Sequence, residues 1–572
     1  MINLTRARWA IFLAGFVAGS LLMSATGTYI ALAHPHFTTR VEAKLRSLLT
    51  AHQESSAPIA APGDVQVVVD DTASGYAISP LIYGVAFAST GVLQQLGATV
   101  DRWGGNTSSR YNWVVGDAWA AGRDWEFRNT ATDWSGAAAD KFVLQSQGAG
   151  AAPLLTVPTI GYVAKNNDNN VRSVGVPDQG GAPVNSAGAI AGYDPTHNRS
   201  VTSVPSYPSK DAPSIAQPAP GSSVVYEDEW IKHLVDRFGS NGVRFFTMDN
   251  EPDLWSVTHT DVHPAAMSYQ SMLDTFEQYS TAVKAVDPSA LVLGPDVSGW
   301  TGYMFSALDQ GSDNYATHAD RAAHGNQEFL AWWLAQVAKA DRARGSRSLD
   351  LLDVHYYPQA NNVFGDASDP ATQALRIRST RSLWDPTYSD ESWIGQPVML
   401  IPRLKSWVQK NYPGTGIAIT EYNWGGEKDA SGAVALATVL GVFGREGVDL
   451  ATYWAYPPPN SPAGAAFRLY RNADGKGAKF GDIELPVSST RSGLVAFAAR
   501  HSDRHEVDVI LINQSAAGAA SINLKLKSGA GSPADEFKVL AGSSVIEHTA
   551  GVSLSSVDVP PMSIVMVRIP TA

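Results

Sequence analysis

The fold is decided by a stretch in which an apolar run ends in amide and acidic side chains, Phe245-Phe246-Thr247-Met248-Asp249-Asn250-Glu251-Pro252. Its first four residues have the composition of a buried strand. Pro252 disfavours the α conformation for the residue before it, so we expect Glu251 to stay extended where the strand ends. In a parallel barrel, the carboxyl ends of the strands form the mouth. The stretch therefore predicts a barrel strand that delivers a carboxyl group to that mouth.

Working outward from this run, other short apolar runs alternate with helical patterns. In 227–238 and 267–285, apolar residues recur on one helical face. Eight strands that alternate with helices predict an α/β fold, a (β/α)8 TIM barrel over residues 80–484. The predicted strands are Ile82–Ala86, Thr99–Trp103, Leu154–Val157, Phe245–Met248, Leu291–Gly294, Leu352–His355, Gly416–Thr420 and Leu450–Trp454.

The pattern changes at about residue 485, where strand-like runs are separated by turns rich in Gly and Ser. These runs predict an attached antiparallel β-sandwich over 485–572. Within 64–79, we expect Val65–Val69 to be a strand of the same sandwich. The long segment 159–226, rich in Gly, Pro, Ser and Asn, follows the third strand and should help to wall a cleft. The sandwich runs are Val507–Asn513, Ser521–Lys527, Glu536–Leu540 and Ser563–Ile569.

The first 33 residues have the features of an export segment. Arg6 and Arg8 precede an uncharged stretch, 9–33, that is strongly apolar in its first part. Ala31-Leu32-Ala33 fits a cleavage site, and the 25-residue stretch is also long enough to span a bilayer if it is not cut. Residues 1–33 are therefore predicted to be a signal peptide or a membrane anchor, and 34–63 a stalk and linker. The predicted location is extracellular or periplasmic, with anchoring through 9–33 as the alternative.

Composition excludes several classes of function. The net charge of −12 argues against nucleic acid or an anionic membrane as the main partner, because both select basic patches. The absence of cysteine excludes disulfides and thiolate sites. Nothing in the sequence requires a protein partner or more than a monomer. The 16 tryptophans are notable because sugar-binding clefts use exposed indole faces.

A second apolar run ends in an acid, Ile417-Ala418-Ile419-Thr420-Glu421-Tyr422. Glu251 ends the fourth predicted strand and Glu421 ends the seventh, so the two side chains should face each other across the barrel. Glycoside hydrolysis needs one carboxyl group to protonate the leaving oxygen and a second to attack the anomeric carbon or activate water. The pair predicts a glycoside hydrolase.

Several longer motifs resemble glycoside hydrolase family 44, a family of β-1,4-endoglucanases and xyloglucanases. The matching stretches span most of residues 80–500 and are more specific than Asn-Glu-Pro alone. They include Ile78-Ser79-Pro80-Leu81-Ile82-Tyr83-Gly84, Arg102-Trp103-Gly104-Gly105-Asn106, Tyr111-Asn112-Trp113, Gly161-Tyr162-Val163, Asp249-Asn250-Glu251-Pro252-Asp253-Leu254-Trp255, Leu352-Asp353-Val354-His355-Tyr356-Tyr357-Pro358, Arg378-Ser379-Thr380-Arg381-Ser382-Leu383-Trp384-Asp385-Pro386-Thr387-Tyr388 and Thr420-Glu421-Tyr422-Asn423-Trp424-Gly425-Gly426.

The resemblance implies a retaining, endo-acting hydrolase of β-1,4-glucan backbones, such as cellulose derivatives and xyloglucan, with glucomannan as a further candidate. It implies that Glu251 is the acid/base, that Glu421 is the nucleophile, and that no organic cofactor is required. At a carboxyl separation of about 5–5.5 Å, the charge on Glu421 would keep Glu251 protonated for the first step.

Further side chains are candidates for substrate binding. Asn250 is expected to contact the sugar 2-hydroxyl at the cleavage site, while Arg102, His355 and Tyr357 could orient carboxylates or substrate. Each of these also has a purely structural interpretation. Tryptophan is more often a core residue than a sugar platform, so about half of the indole candidates should line the cleft. The indole candidates are Trp255, Trp384, Trp393, Trp424 and Trp454, the last of them under the cleavage subsite.

Other functions remain open alternatives. A β-mannanase or xylanase on the same barrel differs only in a few hydrogen bonds to sugar hydroxyls. A noncatalytic polysaccharide-binding protein is disfavoured because both glutamates are intact. A metal hydrolase built on His259, Asp261 and His263 together with His355 is disfavoured. Two histidines four residues apart need a helix to share a metal, Pro264 follows directly, and no His-Glu-x-x-His pattern is present. A structural calcium ion cannot be read from the sequence and stays open.

Overall fold

The computed structural model describes residues 65–120, 128–130, 138–167, 193–194, 199–200, 203–210, 222–529, 531 and 533–571. The predicted signal peptide or anchor, 1–33, and the stalk and linker, 34–63, lie outside these ranges. Among the helices that the structure describes, none has both the length and the apolar character needed to cross a bilayer.

Eight parallel strands close into a barrel in chain order, with the fourth strand pairing with both the third and the fifth and the eighth with the first. This confirms the predicted TIM barrel. The first strand is shorter than predicted because Pro80–Ile82 forms a 3-10 turn. The strands are Gly84–Ala86, Val100–Trp103, Ala152–Val157, Phe245–Met248, Leu291–Val297, Leu351–Tyr356, Gly416–Tyr422 and Leu450–Tyr453.

A helix returns the chain to the next strand after each barrel strand, as the α/β pattern requires. Additional helices in the connections cover Trp255–Thr258, Trp300–Met304, Ala319–Ala323 and Pro370–Ser379. The returning helices are Thr90–Leu96, Ala138–Gly148, Glu227–Phe238, Tyr269–Val286, Phe329–Arg344, Leu400–Asn411, Ala430–Arg445 and Pro462–Arg471.

The barrel interior is layered. Its lower layer is apolar and consists of Val100, Leu154, Phe245, Leu293, Leu351, Ala418 and Leu450. Residues two positions apart on a strand point the same way, so the next residues along also face inward. Most of this next layer is polar: Arg102, Thr156, Thr247, Asp353, Thr420 and Thr452, all fully buried. The apolar layer thus closes the barrel, and the polar layer forms the floor of its mouth.

The antiparallel sandwich consists of a four-stranded and a seven-stranded sheet. Val65–Val69 lies in the smaller sheet, parallel to Ala520–Leu526 and antiparallel to Val487–Ser489. Inward-facing aliphatic residues of both sheets form one shared core. The other strands are Tyr76–Ala77, Ile483–Leu485, Leu494–Arg500, Glu506–Asn513, Ala534–Val539, Glu547–Val552, Val557–Val559 and Ile564–Pro570.

Two small sheets stand on the carboxyl-terminal side of the barrel, in the connections that follow the second and third strands. One contains Tyr111–Asn112, Asp117–Ala120 and Arg128–Thr130, and the other contains Tyr162–Ala164, Ser203–Tyr207 and Val225–Tyr226. A fully buried ion pair between Arg110 Nη1 and Asp261 Oδ1, 2.9 Å, joins the connection after the second strand to the one after the fourth. The second of these sheets lies in segment 159–226, whose role as a cleft wall stays a prediction.

Candidate active site

Glu251 leaves the fourth strand in an unusual backbone conformation. The extended conformation predicted from Pro252 is wrong, because Glu251 has φ 46° and ψ 55° and begins a 3-10 turn at Pro252. Its N–H donates to the carbonyl oxygen of Asp296 at 3.0 Å. Asp249 and Asp296 also have positive φ, 66° and 58°. Non-glycine residues rarely adopt such angles, and they cluster where a site holds its side chains in place.

Glu421 reaches the interior through a bulge. The pairing of the sixth and seventh strands shifts between Val354 and His355, so that His355 lies opposite Glu421. Consequently Thr420 and Glu421 both face inward, whereas Tyr422 packs outward against Phe443. A bulge re-aims side chains in this way, and bulges are frequent beside active sites.

Two donors hold the Glu421 carboxylate. Arg102 Nη1 donates to Oε1 at 2.6 Å, and the Tyr357 hydroxyl donates to Oε2 at 2.7 Å. Arg102 is fully buried, and Glu421 is 5% exposed. A carboxylate held by a guanidinium and a phenol has a fixed orientation at the mouth, as a nucleophile requires.

The two glutamates face each other closely. One oxygen of Glu251, one oxygen of Glu421 and a ring nitrogen of His355 all lie within 4.8 Å of one another. Carboxyl groups about 5–5.5 Å apart are typical of retaining glycosidases, whereas inverting enzymes separate theirs by about 6.5–9.5 Å to admit a water molecule. The approach of one oxygen from each glutamate to within 4.8 Å agrees with the shorter of these separations.

His355 connects Glu251 to a deeper acid. Its Nδ1 lies 2.9 Å from Glu251 Oε1, and its Nε2 lies 2.6 Å from Asp296 Oδ1. Asp296 Oδ2 also accepts from Arg102 Nη2 at 3.1 Å. Burial alone would lower the pKa of His355, but the charges of Asp296 and Glu421 hold that pKa well above its usual value. His355 is therefore a cation that donates to both neighbours.

The electrostatics of Glu251 suit an acid. Burial raises the pKa of Glu251 to about 7, while the hydrogen bond and charge of His355 oppose the rise and the charge of Glu421 adds to it. Because Oε1 accepts from His355, Oε2 is the oxygen available to carry the proton. A carboxylic acid poised near neutral pH can protonate a glycosidic oxygen and later act as a base.

Asn250 is held with its amide oxygen inward. Its Oδ1 accepts from Arg102 Nη2 at 3.0 Å and from the Gly105 N–H at 2.9 Å, while its Nδ2 donates one hydrogen to Asn106 Oδ1 at 3.2 Å and keeps a second. Trp454 closes this side, because a Cβ on Gly105, at φ +79°, would lie 2.7 Å from its ring. The half-buried indole of Trp454 lies over Arg102, with the guanidinium carbon 5.9 Å from the ring centroid. Asn250 and Trp454 thus border the pair formed by Glu251 and Glu421.

The structure contradicts three of the predicted sugar platforms. Trp255 is 1% exposed and packs edge-on against His263. Trp424 is 2% exposed, stacks near Tyr356 and donates to Ser379. Trp384 lies under the guanidinium of Arg445, which also covers Phe497 of the sandwich, so it faces away from the mouth. Trp255 and Trp424 are therefore core residues, and the half-buried Trp384 packs where the barrel meets the sandwich.

Trp393 behaves differently, because its side chain is 61% exposed. Its Nε1 lies 3.4 Å from Gln359 Oε1, and Gln359 Nε2 donates to the carbonyl oxygen of Tyr357 at 2.9 Å. This contact places the indole beside the loop that carries Tyr357, one of the ligands of Glu421. Trp393 thus presents an exposed indole ring near the pair formed by Glu251 and Glu421.

Sequence reasoning missed the buried acids beneath the pair. Thr420 Oγ1 lies 3.0 Å from Asp296 Oδ1 and 2.8 Å from Asp353 Oδ1. Burial alone would raise the pKa of Asp296, but the charges of His355 and Arg102 hold it below its ordinary value. Burial and the charge of Asp296 raise the pKa of Asp353 to about 7. The alternation of strand residues could have identified Asp353, which follows Leu351 on the inward face.

Ion pairs within the site disfavour the binding of a metal ion there. Among the described residues, the one group with ligand atoms close enough to share an ion is Glu251, His355 and Glu421. These side chains already bind one another, Asp296 and the cationic Arg102, which opposes a further cation. Within the same described ranges, His259, Asp261 and His263 do not form such a group.

The sequence model of the family "Glycoside hydrolase family 44" matches residues 118–360 of this chain. Endoglucanase A of Paenibacillus lautus is 34% identical over 489 residues, which cover 80% of this chain and 64% of that protein. This chain therefore spans less than two thirds of the length of that curated relative.

Two solved structures align with this chain over nearly the whole of their own length. A bifunctional glucanase-xylanase protein from a metagenome library aligns with a TM-score of 0.79 and 36% identity, over 89% of this chain and 99% of that one. A family 44 xyloglucanase of Paenibacillus polymyxa, solved with xyloglucan, aligns with a TM-score of 0.77 and 29% identity, over 89% and 100% of the two chains.

Proposed function

The chain belongs to glycoside hydrolase family 44, and we propose that it is an endo-acting hydrolase of β-1,4-glucan backbones that retains the anomeric configuration. The observation that carries this proposal is the close approach of Glu251 and Glu421, which each place one carboxyl oxygen within 4.8 Å of the other. Cellulose derivatives and xyloglucan are the proposed substrates, since relatives in the family carry the names endoglucanase and xyloglucanase.

In the first step, ionised Glu421 attacks the anomeric carbon while Glu251 protonates the leaving oxygen, so the glycosidic bond breaks and a glycosyl ester forms. Arg102 and Tyr357 orient the nucleophile through their bonds to its two oxygens. In the second step, Glu251 takes a proton from water, and the resulting hydroxide cleaves the ester and regenerates Glu421. No organic cofactor is needed for either step.

Substrate hydrogen bonds are proposed for three neighbours. The amide oxygen of Asn250 is already bonded, and its Nδ2 would donate to the 2-hydroxyl of the sugar that is attacked. Trp454 would lie under the same sugar, and the exposed ring of Trp393 would stack on a sugar farther along the cleft. His355 would position Glu251 rather than contact the substrate.

A panel of xyloglucan, carboxymethyl cellulose, glucomannan, mannan and xylan tests the proposal. We expect viscosity to fall faster than reducing ends appear on the glucans, which indicates internal cleavage. Proton NMR of the first products should show the β-anomer, because retention requires two displacements. No cleavage of either glucan would overturn the proposal, and initial α-anomers would overturn the mechanism.

The same panel decides between this function and its rivals. Faster hydrolysis of mannan or xylan than of both glucans would make the chain a mannanase or xylanase, which a few hydroxyl contacts suffice to determine. Binding to the polymers with no cleavage at all would indicate a noncatalytic polysaccharide-binding protein.

Export and a monomeric state are also part of the proposal. Arg6, Arg8 and the apolar stretch 9–33 support export. Mass spectrometry of the N-terminus of protein expressed in its native host would distinguish cleavage after Ala33 from a retained anchor. Light scattering during size-exclusion chromatography should give the mass of one chain. A melting temperature that falls on chelation would reveal structural calcium.

A further inference from the structure

A row of tyrosines stands on the small sheet that follows the third barrel strand. Pro205 pairs with Tyr162, and Tyr207 pairs with Tyr226. Strand residues in register share a face, so the three phenols lie on one side of the sheet. Tyr162 is 41% exposed and Tyr207 is 47% exposed. We call Tyr162, Tyr207 and Tyr226 the tyrosine row.

The opposite face of this sheet explains why the row is fixed in place. Val163, Val204, Ser206 and Val225 are all buried there. The N–H of Ser206 donates to the carbonyl oxygen of Gly161 at 2.8 Å, which extends the ladder beside Tyr162. A sheet anchored on one face presents the other face without conformational rearrangement. Neighbouring exposed aromatic rings on such a fixed face make it a candidate interaction surface.

The row begins close to the catalytic pair. The N–H of Ile160 and the hydroxyl of Thr159 both donate to Asp249 Oδ2 at 3.1 Å. Asp249 lies two residues before Glu251, and Tyr162 lies two residues after Ile160. The first tyrosine of the row therefore lies two residues beyond a segment that is bonded to the end of the fourth strand.

The chemistry of the row matches an uncharged glycan. The rings of Tyr207 and Tyr226 lie 5.9 Å apart at 35°, so they form adjacent, tilted platforms. Their hydroxyl groups can exchange hydrogen bonds with sugar hydroxyls. The cation beside them, Lys210 Nζ, is 5.6 Å from the Tyr226 centroid and already pairs with Glu229 at 3.1 Å. This pairing removes the positive surface that a nucleic acid would need.

We propose that the tyrosine row binds a distal portion of the same β-1,4-glucan chain that is cut between Glu251 and Glu421, and so favours long polymers over short oligosaccharides. This inference rests on the proposed function. It assigns the row a role in substrate length preference, separate from the chemistry at the barrel mouth.

The test compares the full-length chain with the double variant Tyr162→Ala/Tyr207→Ala. We expect the ratio of kcat/KM on xyloglucan to kcat/KM on cellotetraose to fall about three- to tenfold, as the loss of one or two ring contacts implies. Tyr162→Phe/Tyr207→Phe keeps the rings and should restore most of the ratio. Leu144→Ala, which removes another exposed apolar side chain (53% exposed), is the matched control and should not change it.

Binding without turnover provides a second readout. In the Glu421→Gln background, the native tyrosines should give stronger retardation in gels that contain xyloglucan than the alanine pair. An unchanged ratio and unchanged retardation would overturn the proposed role of the tyrosine row while leaving the proposed function intact. A ratio that falls equally in the Phe and Ala pairs would also overturn the stacking role. Loss of all glucan cleavage by the native chain would instead reject the proposed function.

Discussion

His355 donates from Nδ1 to Glu251 Oε1 across 2.9 Å, and this contact couples the proposed acid to a buried cation. The cation favours the ionised form of Glu251, whereas burial and Glu421 favour the neutral form, and the pKa of Glu251 rises to about 7. The balance means that the acid is protonated below about pH 7 and is lost as the pH rises through that value.

Replacing His355 should therefore move the alkaline limb of the pH profile. In His355→Gln the pKa of Glu251 rises further because the opposing cation is gone, so the fall in kcat/KM shifts to higher pH. The rate at the optimum also falls, since the carboxyl group loses its orienting donor. Plots of kcat/KM against pH on soluble glucan measure both effects.

His233→Gln is the matched control, because His233 also pairs with a carboxylate, Asp140 at 2.9 Å, on the outer surface of the barrel. Its profile should coincide with that of the native chain. A limb that stays in place or moves to lower pH in His355→Gln would contradict the coupling.

The two glutamates should respond differently to an activated leaving group. Glu421→Gln removes the nucleophile, and we expect a loss of about 10⁴-fold in kcat on every substrate. Glu251→Gln removes the proton donor, so aryl cellobiosides with an acidic phenol should still form the glycosyl ester in a rapid burst. Equal losses on polymer and aryl glycoside in both variants would argue against the assigned roles.

Asp296 should be a major contributor to stability. It is fully buried between Arg102 and His355, so Asp296→Ala leaves two buried cations with one partner fewer. We expect a loss of about 3–5 kcal/mol in the free energy of unfolding, measured with urea. The exposed pair of Lys232 and Asp236 is the control, and Asp236→Ala should cost less than about 1 kcal/mol.

Substitutions at Trp393 and Trp384 should have different effects, because the first ring is proposed to bind substrate and the second packs within the protein. Trp393→Ala removes an exposed ring near Tyr357 and should raise KM on polymer severalfold with an unchanged melting temperature. Trp384→Ala removes the ring beneath Arg445 and should lower the melting temperature with an unchanged KM. Calorimetry and initial rates distinguish the two, and the reverse pattern would contradict the positions described above.

The sequence predicted the barrel well because each strand is a short apolar run with a clear end. It predicted the fifth strand less well, since Gly294-Pro295 resembles a terminator, whereas the strand continues to Val297 and carries Asp296 into the site. Composition also cannot report burial. Trp255 and Trp393 both lie in connections that follow barrel strands, yet their exposures are 1% and 61%, because tertiary packing decides which ring is covered.

The bond from Gln66 to Thr490 joins residues 424 positions apart, with the whole barrel between them. At about 5–20 residues per second, a ribosome needs about 20 to 85 s to deliver the partners of the first sandwich strand. During synthesis, Val65–Val69 therefore waits as an unpaired apolar segment while the barrel matures. Its sheet can close only after translation has passed the barrel, because both partner strands of Val65–Val69 follow the barrel in the chain.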